Sequence, residues 1–237
     1  MITQRDNLFL LSTAHTSLLL RAGQRRVDLL YLGKKLTGAW ENASLLAPEG
    51  DGSGQEKPCS LFSPWGGIDF REPSLLLRAE DGSASADFVL RSAEISPRTP
   101  VEGLPVSYGE EECVRFAYEE KRLGLLFVLE LTAYEDSDTY SCIPYLCNEG
   151  ASSVIIERFA SLQLEFWGKD FSFTTFDGDW GCERQKHTRP LNGGKCENAS
   201  FTGASSPFRT PFTLLTRPGM AVGVNLVYSG NHRTVAE

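Results

Sequence analysis

"CVRFAYEE", Cys113–Glu120, decides the fold class. Val114, Phe116 and Tyr118 alternate with Arg115, Ala117 and Glu119. Successive side chains on a strand point to opposite faces, so this spacing predicts a strand with one buried and one wet face. The rhythm recurs along the chain. "SLQLEFWG" (161–168) alternates Leu162, Leu164 and Phe166 with Ser161, Gln163 and Glu165, and "AVGVNLVYSG" (221–230) aligns Val222, Val224, Leu226 and Tyr228 on one face. "SLLLRAE" (74–80), "SADFVLRS" (85–92), "GLLFVLELTAYE" (124–135), "SVIIERFAS" (153–161) and "FSFTTF" (171–176) extend the series, rich in β-branched and aromatic residues. The opening "NLFLLS…TSLLLRA…RRVDLLYLG" (7–33) predicts three short strands.

Turn chemistry separates these segments. "EDGS" (80–83) is a hairpin signal, because Asp-Gly accepts the positive φ of a tight turn. "NEGASS" (148–153), "DGDWG" (177–181) and "LNGGK" (191–195) are similar punctuation. No stretch of ten residues carries helical periodicity. The expectation is an all-β fold, a large antiparallel sandwich with few or no helices. Only 33–73 breaks the rhythm: Gly, Pro and Ser are dense there, and alternation fails. A loop of that length inside a compact domain is usually functional or mobile. Its middle, "EGDGSGQEK", is expected to be disordered or a flap, and Trp40, Phe62 and Trp65 to pack its ends down.

The charge balance narrows the function. With 31 acids against 23 bases, the 237-residue chain carries a formal charge of −8. Its bases are scattered, so no phosphate-tracking patch forms and no nucleic-acid partner is expected. The first residues lack the 7–15-residue apolar run of a signal peptide, and no 20-residue apolar span occurs. A cytoplasmic protein without membrane contact is expected. The six cysteines (59, 113, 142, 147, 182, 196) form no C-x-x-C pair, and His15, His187 and His232 are far apart. Reduced thiols and no metal site follow.

"FDGDWGCERQ" (176–185) gathers acids, a tryptophan and an arginine, and three readings compete for it. Asp177 and Asp179 suit a carboxylate pair for sugar chemistry, which needs its two groups about 5–9 Å apart. Trp180 suits a stacking platform for the weakly apolar C–H face of a sugar. The third reading is a plain turn, with Arg184 paired to Asp179 or Glu183, and it is the preferred one. In "GGIDFREPSLLL" (66–77), Asp69 and Arg71 are two apart and share a face, fit either for a structural clasp or for a pocket wall. Trp65, Asp69, Arg71 and Trp180 are the candidate sugar contacts. No G-x-S-x-G, P-loop or G-x-G-x-x-G is present.

Seven segments taken in order carry a resemblance: "YLGKKL" (31–36), "DFREPSLLLRAEDGS" (69–83), "GLPVSYGEEE" (103–112), "LTAYEDSDTYS" (131–141), "GDWGCERQKHTRPL" (178–191), "GASSPFRTPF" (203–212) and "VNLVYSGN" (224–231). Together they resemble the amino-terminal region of the microbial alpha-galactosidases of glycoside hydrolase family 36. The resemblance implies a β-supersandwich domain, followed in the family by a (β/α)₈ barrel and a smaller β-domain. It implies a parent enzyme that removes terminal α-galactosyl groups from melibiose and raffinose with retention. Two aspartates on the barrel do that chemistry, without metal or organic cofactor. A barrel of this kind takes about 250 residues of alternating strand and helix. The chain is β throughout, so no catalytic residue is expected in it and it is expected to be inactive alone. It is also expected to stop short of the last sandwich strands, leaving edges that invite pairing with another copy. The alternative is a stand-alone carbohydrate-binding sandwich without chemistry.

Overall fold

The computed structural model describes residues 1–42, 59–66, 72–98, 101–109, 112–166, 168–204, 208–228 and 230–237. It divides into two compact units, Met1–Thr99 with Gly109–Phe166, and Pro100–Tyr108 with Trp167–Glu237. Every strand ladder is antiparallel, and the described residues contain no α-helix. The all-β reading holds.

In the first unit, β1 (Ile2–Arg5), β2 (Leu8–Ser12), β3 (Thr16–Ala22) and β4 (Val27–Lys34) form a four-stranded meander in chain order. A second meander contains β6 (Val89–Pro97), β7 (Glu112–Glu120), β8 (Leu125–Tyr134) and β9 (Thr139–Asn148). Between them in sequence, β5 (Leu75–Ala79) pairs with the later β10 (Val154–Phe159). The core lies where the two meanders face each other. Phe9 and Leu11 of β2 and Leu18 and Leu20 of β3 meet Val114, Phe116 and Tyr118 of β7 and Phe127 and Leu129 of β8. Phe9 and Phe116 pack edge-to-face at 5.2 Å, and Phe62 stacks on Phe127 at 3.7 Å. Leu10 and Leu19 bury the opposite face of the first meander against Tyr31, Leu36 and Trp40. Both faces of β2 and β3 are therefore covered, which accounts for their unbroken apolar runs.

Two of the polar side chains that enter this core are tied down by close partners. Tyr118 is buried and donates its hydroxyl to the Gly23 carbonyl at 3.0 Å. Asp28 receives Arg21 Nη2 at 2.7 Å and Arg26 Nε at 2.6 Å.

The second unit contains β11 (Ser172–Gly178), β12 (Gln185–Pro190), β13 (Cys196–Ser200), β14 (Phe208–Arg209), β15 (Phe212–Arg217), β16 (Met220–Asn225) and β17 (His232–Ala236). One sheet runs β12-β11-β15-β16, with β14 also on β11, while β13 pairs with β17 alone. Among its described residues, Phe173 is the single buried apolar side chain, and Thr174, Thr175, Asn198, Ser200, Thr213 and His232 are the buried polar ones.

Several expectations need correction. "SLQLEFWG" forms no ladder over 161–166. The Glu165 carboxylate accepts Ser60 N at 3.0 Å and Gln163 Nε2 at 2.7 Å, so side chains anchor the extended segment while Leu164 and Phe166 still pack on the core. β16 stops at Asn225, leaving Leu226 and Tyr228 beyond the strand. "EDGS" does turn the chain, with Gly82 at φ 82°, but it hands it to another sheet, because β5 pairs with β10. β1 is an additional strand at the start of the chain. Most of the expected loop at 33–73, including "EGDGSGQEK", lies outside the described residues.

Candidate functional site

Trp65 is strapped by its main chain and free at its ring. Its N–H donates to the Leu75 carbonyl at 2.9 Å, and its carbonyl accepts the Ala86 N–H at 3.1 Å. Gly66 follows at φ 99°, where an added Cβ would sit 2.6 Å from Ser85 Cβ, so only glycine lets the backbone pass. The indole remains 48% exposed on the first unit.

Trp180 is at the tip of the β11–β12 hairpin and is 95% exposed. The turn that presents it is built from the acids beside it. Asp179 accepts Trp180 N at 2.7 Å through Oδ1 and Cys182 N at 2.9 Å through its carbonyl. Glu183 Oε1 accepts Gly181 N at 3.1 Å. At Gly178 a Cβ would lie 2.6 Å from Glu183 Cα, which makes the close approach of the two limbs specific to glycine. Asp177 Oδ2 faces Arg209 Nε at 3.9 Å across β14. The turn reading of this stretch therefore holds, but its partners differ from expectation: main-chain amides occupy Asp179 and Glu183, and Arg209 rather than Arg184 faces an acid. Every residue of β12 is exposed, His187 included, so this hairpin limb is bonded along one edge without burying a side chain.

Asp69 and Arg71 lie outside the described residues. Trp65 and Trp180 belong to different units, and each is described on its own.

One polar cluster escaped sequence reasoning. Thr13 Oγ1 donates to Asp138 Oδ1 at 2.6 Å, His15 N donates to the same oxygen at 2.9 Å, and His15 Nδ1 is 2.8 Å from Asp138 Oδ2. Thr16 Oγ1 and Tyr140 OH extend the network at 2.9 Å. These bonds, Thr13's foremost, hold the Asp138 carboxyl down to about 2 from an ordinary 3.8. The cluster clasps the β2–β3 turn to the β8–β9 turn across 123 residues of sequence. Its one local signal is Asp138 itself, which adopts φ 50° where Asp, unlike most residues, is tolerated.

Cys113, Cys142, Cys147, Cys182 and Cys196 are free thiols, and burial pushes Cys142 up to about 12. Among the described residues, no three His, Cys, Asp or Glu side chains gather as metal ligands, and no helix is long and apolar enough to cross a membrane.

The family profile described as "Glycosyl hydrolase family 36 N-terminal domain" matches residues 25–237. The chain is 30% identical over 182 residues to Alpha-galactosidase 1 of Pediococcus pentosaceus, covering 72% of this chain and 25% of that protein. It is 30% identical over 187 residues to Alpha-galactosidase Mel36A of Lactobacillus acidophilus, covering 74% of this chain and 26% of that protein. The chain thus spans about a quarter of the length of the curated relatives it matches. The crystal structure of alpha-galactosidase AgaB from Geobacillus stearothermophilus overlays with a TM-score of 0.85 at 25% identity, covering 99% of this chain and 35% of that one. A variant of AgaA from the same organism, solved in complex with raffinose, overlays with a TM-score of 0.85 at 25% identity, covering 96% of this chain and 35% of that one.

Proposed function

We propose, for a chain that belongs to the glycosyl hydrolase family 36 N-terminal domain family, that it is the non-catalytic first β-domain of an alpha-galactosidase. One observation carries this reading: the N-terminal-domain profile accounts for 25–237, while the aligned part covers only 25% of an alpha-galactosidase that matches. The reaction would be retaining hydrolysis of terminal α-galactosyl groups from raffinose-type oligosaccharides. It needs a carboxylate nucleophile and a second carboxyl that protonates the leaving oxygen. In our reading both belong to a (β/α)₈ barrel outside this chain, and no metal or organic cofactor takes part. The acids of the 177–183 turn support this, being engaged by main-chain amides and an arginine.

The domain's work is then to brace the barrel, to contribute to a homo-oligomer in the cytoplasm, and to line the pocket rim. Trp65, Asp69 and Arg71 from the 33–73 segment and Trp180 from the hairpin tip are the rim residues. An indole face stacks on a galactose ring, Asp69 accepts sugar hydroxyls, and Arg71 orients that carboxylate. Trp65→Ala and Trp180→Ala in the full-length enzyme are expected to raise KM for raffinose several-fold with little change in kcat. Unchanged KM and kcat in both variants would remove the rim role.

The exposure of both indoles favours a second reading, a carbohydrate-binding module that acts alone. Calorimetric titration of the 237-residue chain with galactose and raffinose separates the two. Saturable binding supports the module, and its absence supports the dependent domain.

A further inference from the structure

Nine buried side-chain polar atoms among the described residues have no protein partner, and six of them belong to one seam of the second unit. They are Thr175 Oγ1, Asp177 Oδ1, Asn198 Oδ1, Thr210 Oγ1 and both ring nitrogens of His232. Thr175 and Asp177 are two apart on β11 and share a face. Asp177 is the cross-strand partner of Arg209, and the next residue, Thr210, donates its N–H to the Phe176 carbonyl at 3.0 Å. From β13, Asn198 Nδ2 reaches the Thr210 carbonyl at 2.9 Å and Thr213 Oγ1 at 3.1 Å, which leaves its Oδ1 as the spare atom. His232 of β17 pairs with Ser200 of β13, and its ring interacts with the Thr210 backbone outside the geometry of a well-formed hydrogen bond, near Arg209. β11, β13, β14 and β17 thus converge on one polar seam.

So many unpaired buried groups would cost a stability comparable to that of a whole domain, so a partner must be supplied. The chemistry of the seam selects it. Asp177 Oδ1 and Asn198 Oδ1 only accept, the threonine hydroxyls do both, and a neutral imidazole offers one donor and one acceptor. The Arg209 guanidinium faces the Asp177 carboxylate and balances its charge, which disfavours a cation. A small neutral molecule that both donates and accepts satisfies every group, and water is that molecule.

We propose that this seam is an internal hydration site, in which about two ordered waters, at about three bonds each, bridge β11 and β14 to the β13–β17 pair. Such waters explain how a unit whose described residues bury one large apolar side chain, Phe173, holds its smaller sheet to its larger one.

The isosteric variants Thr175→Val and Thr210→Val test this on the intact chain. If the hydroxyls bond to water, each variant strands its neighbours and the melting temperature of the second unit falls by about 2 °C or more. If the seam is dry, each variant removes an unpaired hydroxyl, and the melting temperature stays level or rises. That result overturns the proposal. A crystal structure at a resolution that defines solvent gives an independent reading. Density for waters within hydrogen-bond distance of Asp177 Oδ1 and Asn198 Oδ1 is expected. A dry seam, or an ion at metal–oxygen distances of about 2.3 Å, contradicts it.

Discussion

Asp138 shows what a single residue can tie together. Its carboxyl is held near 2 against an ordinary 3.8 because the folded chain bonds the charged form, chiefly through Thr13 and then through His15. A depressed folded value means the stabilisation is complete above the ordinary value and disappears as pH falls through the folded one. Thermal melts should therefore lose stability between about pH 4 and 2. Asp138→Asn, which tolerates the same φ, should melt lower at pH 7 and show a shallower decline over that acid range. An unchanged acid limb in the variant would remove Asp138 from the account. The thiols separate by the same logic of environment. Cys147 and Cys182 are exposed, Cys113 is buried, and Cys142 is held protonated by burial. Labelling of the native chain with a thiol reagent should modify Cys147 and Cys182 first and leave Cys113 and Cys142 until unfolding, as peptide mapping would show. Residue roles of this kind were poorly legible. His15 has no acid beside it in sequence, because its partner is 123 residues away, and only a fold brings the two together.

Elements were far more legible than their partners. β7 alternates as expected, and Val114, Phe116 and Tyr118 are wholly buried on its inner face. β2 and β3 read as strands although they do not alternate, because both their faces are covered. Alternation failed at 161–166, where apolar residues pack inward without a ladder and Glu165 takes the main-chain bond that a strand would have made. "EDGS" failed in another way: turn chemistry is local, but the pairing of β5 with β10 is decided some 75 residues away. Hairpin "DGDWG" succeeded because its turn and its pairing are one local unit. The central packing claim is that the two meanders share one core through Phe9 and Phe116. Phe116→Ala should cost about 3–5 kcal/mol in urea unfolding of the first unit. A loss below about 1 kcal/mol would mean that the contact between the meanders is not what holds them together.

At the scale of the whole molecule, antiparallel sheets and a family match covering 25–237 agree that this chain is an all-β domain of the glycosyl hydrolase family 36 N-terminal family. The two units differ in kind: the first is built on an extensive apolar cluster, the second on Phe173 and a set of buried polar groups. Fold class was legible in the sequence because period-two patterning is repeated from end to end. The candidate sugar contacts were only half accessible: the sequence marked both tryptophans, and they prove to be exposed, while Asp69 and Arg71 lie outside the described residues. We propose that the chemistry belongs to a part of the parent protein other than these sheets. The direct test is hydrolysis of an aryl α-galactoside by the purified 237-residue chain across pH 4–8. Release at the buffer rate, with the chain folded by circular dichroism, is predicted; turnover well above that rate, lost on mutating an acid within the chain, would contradict the account.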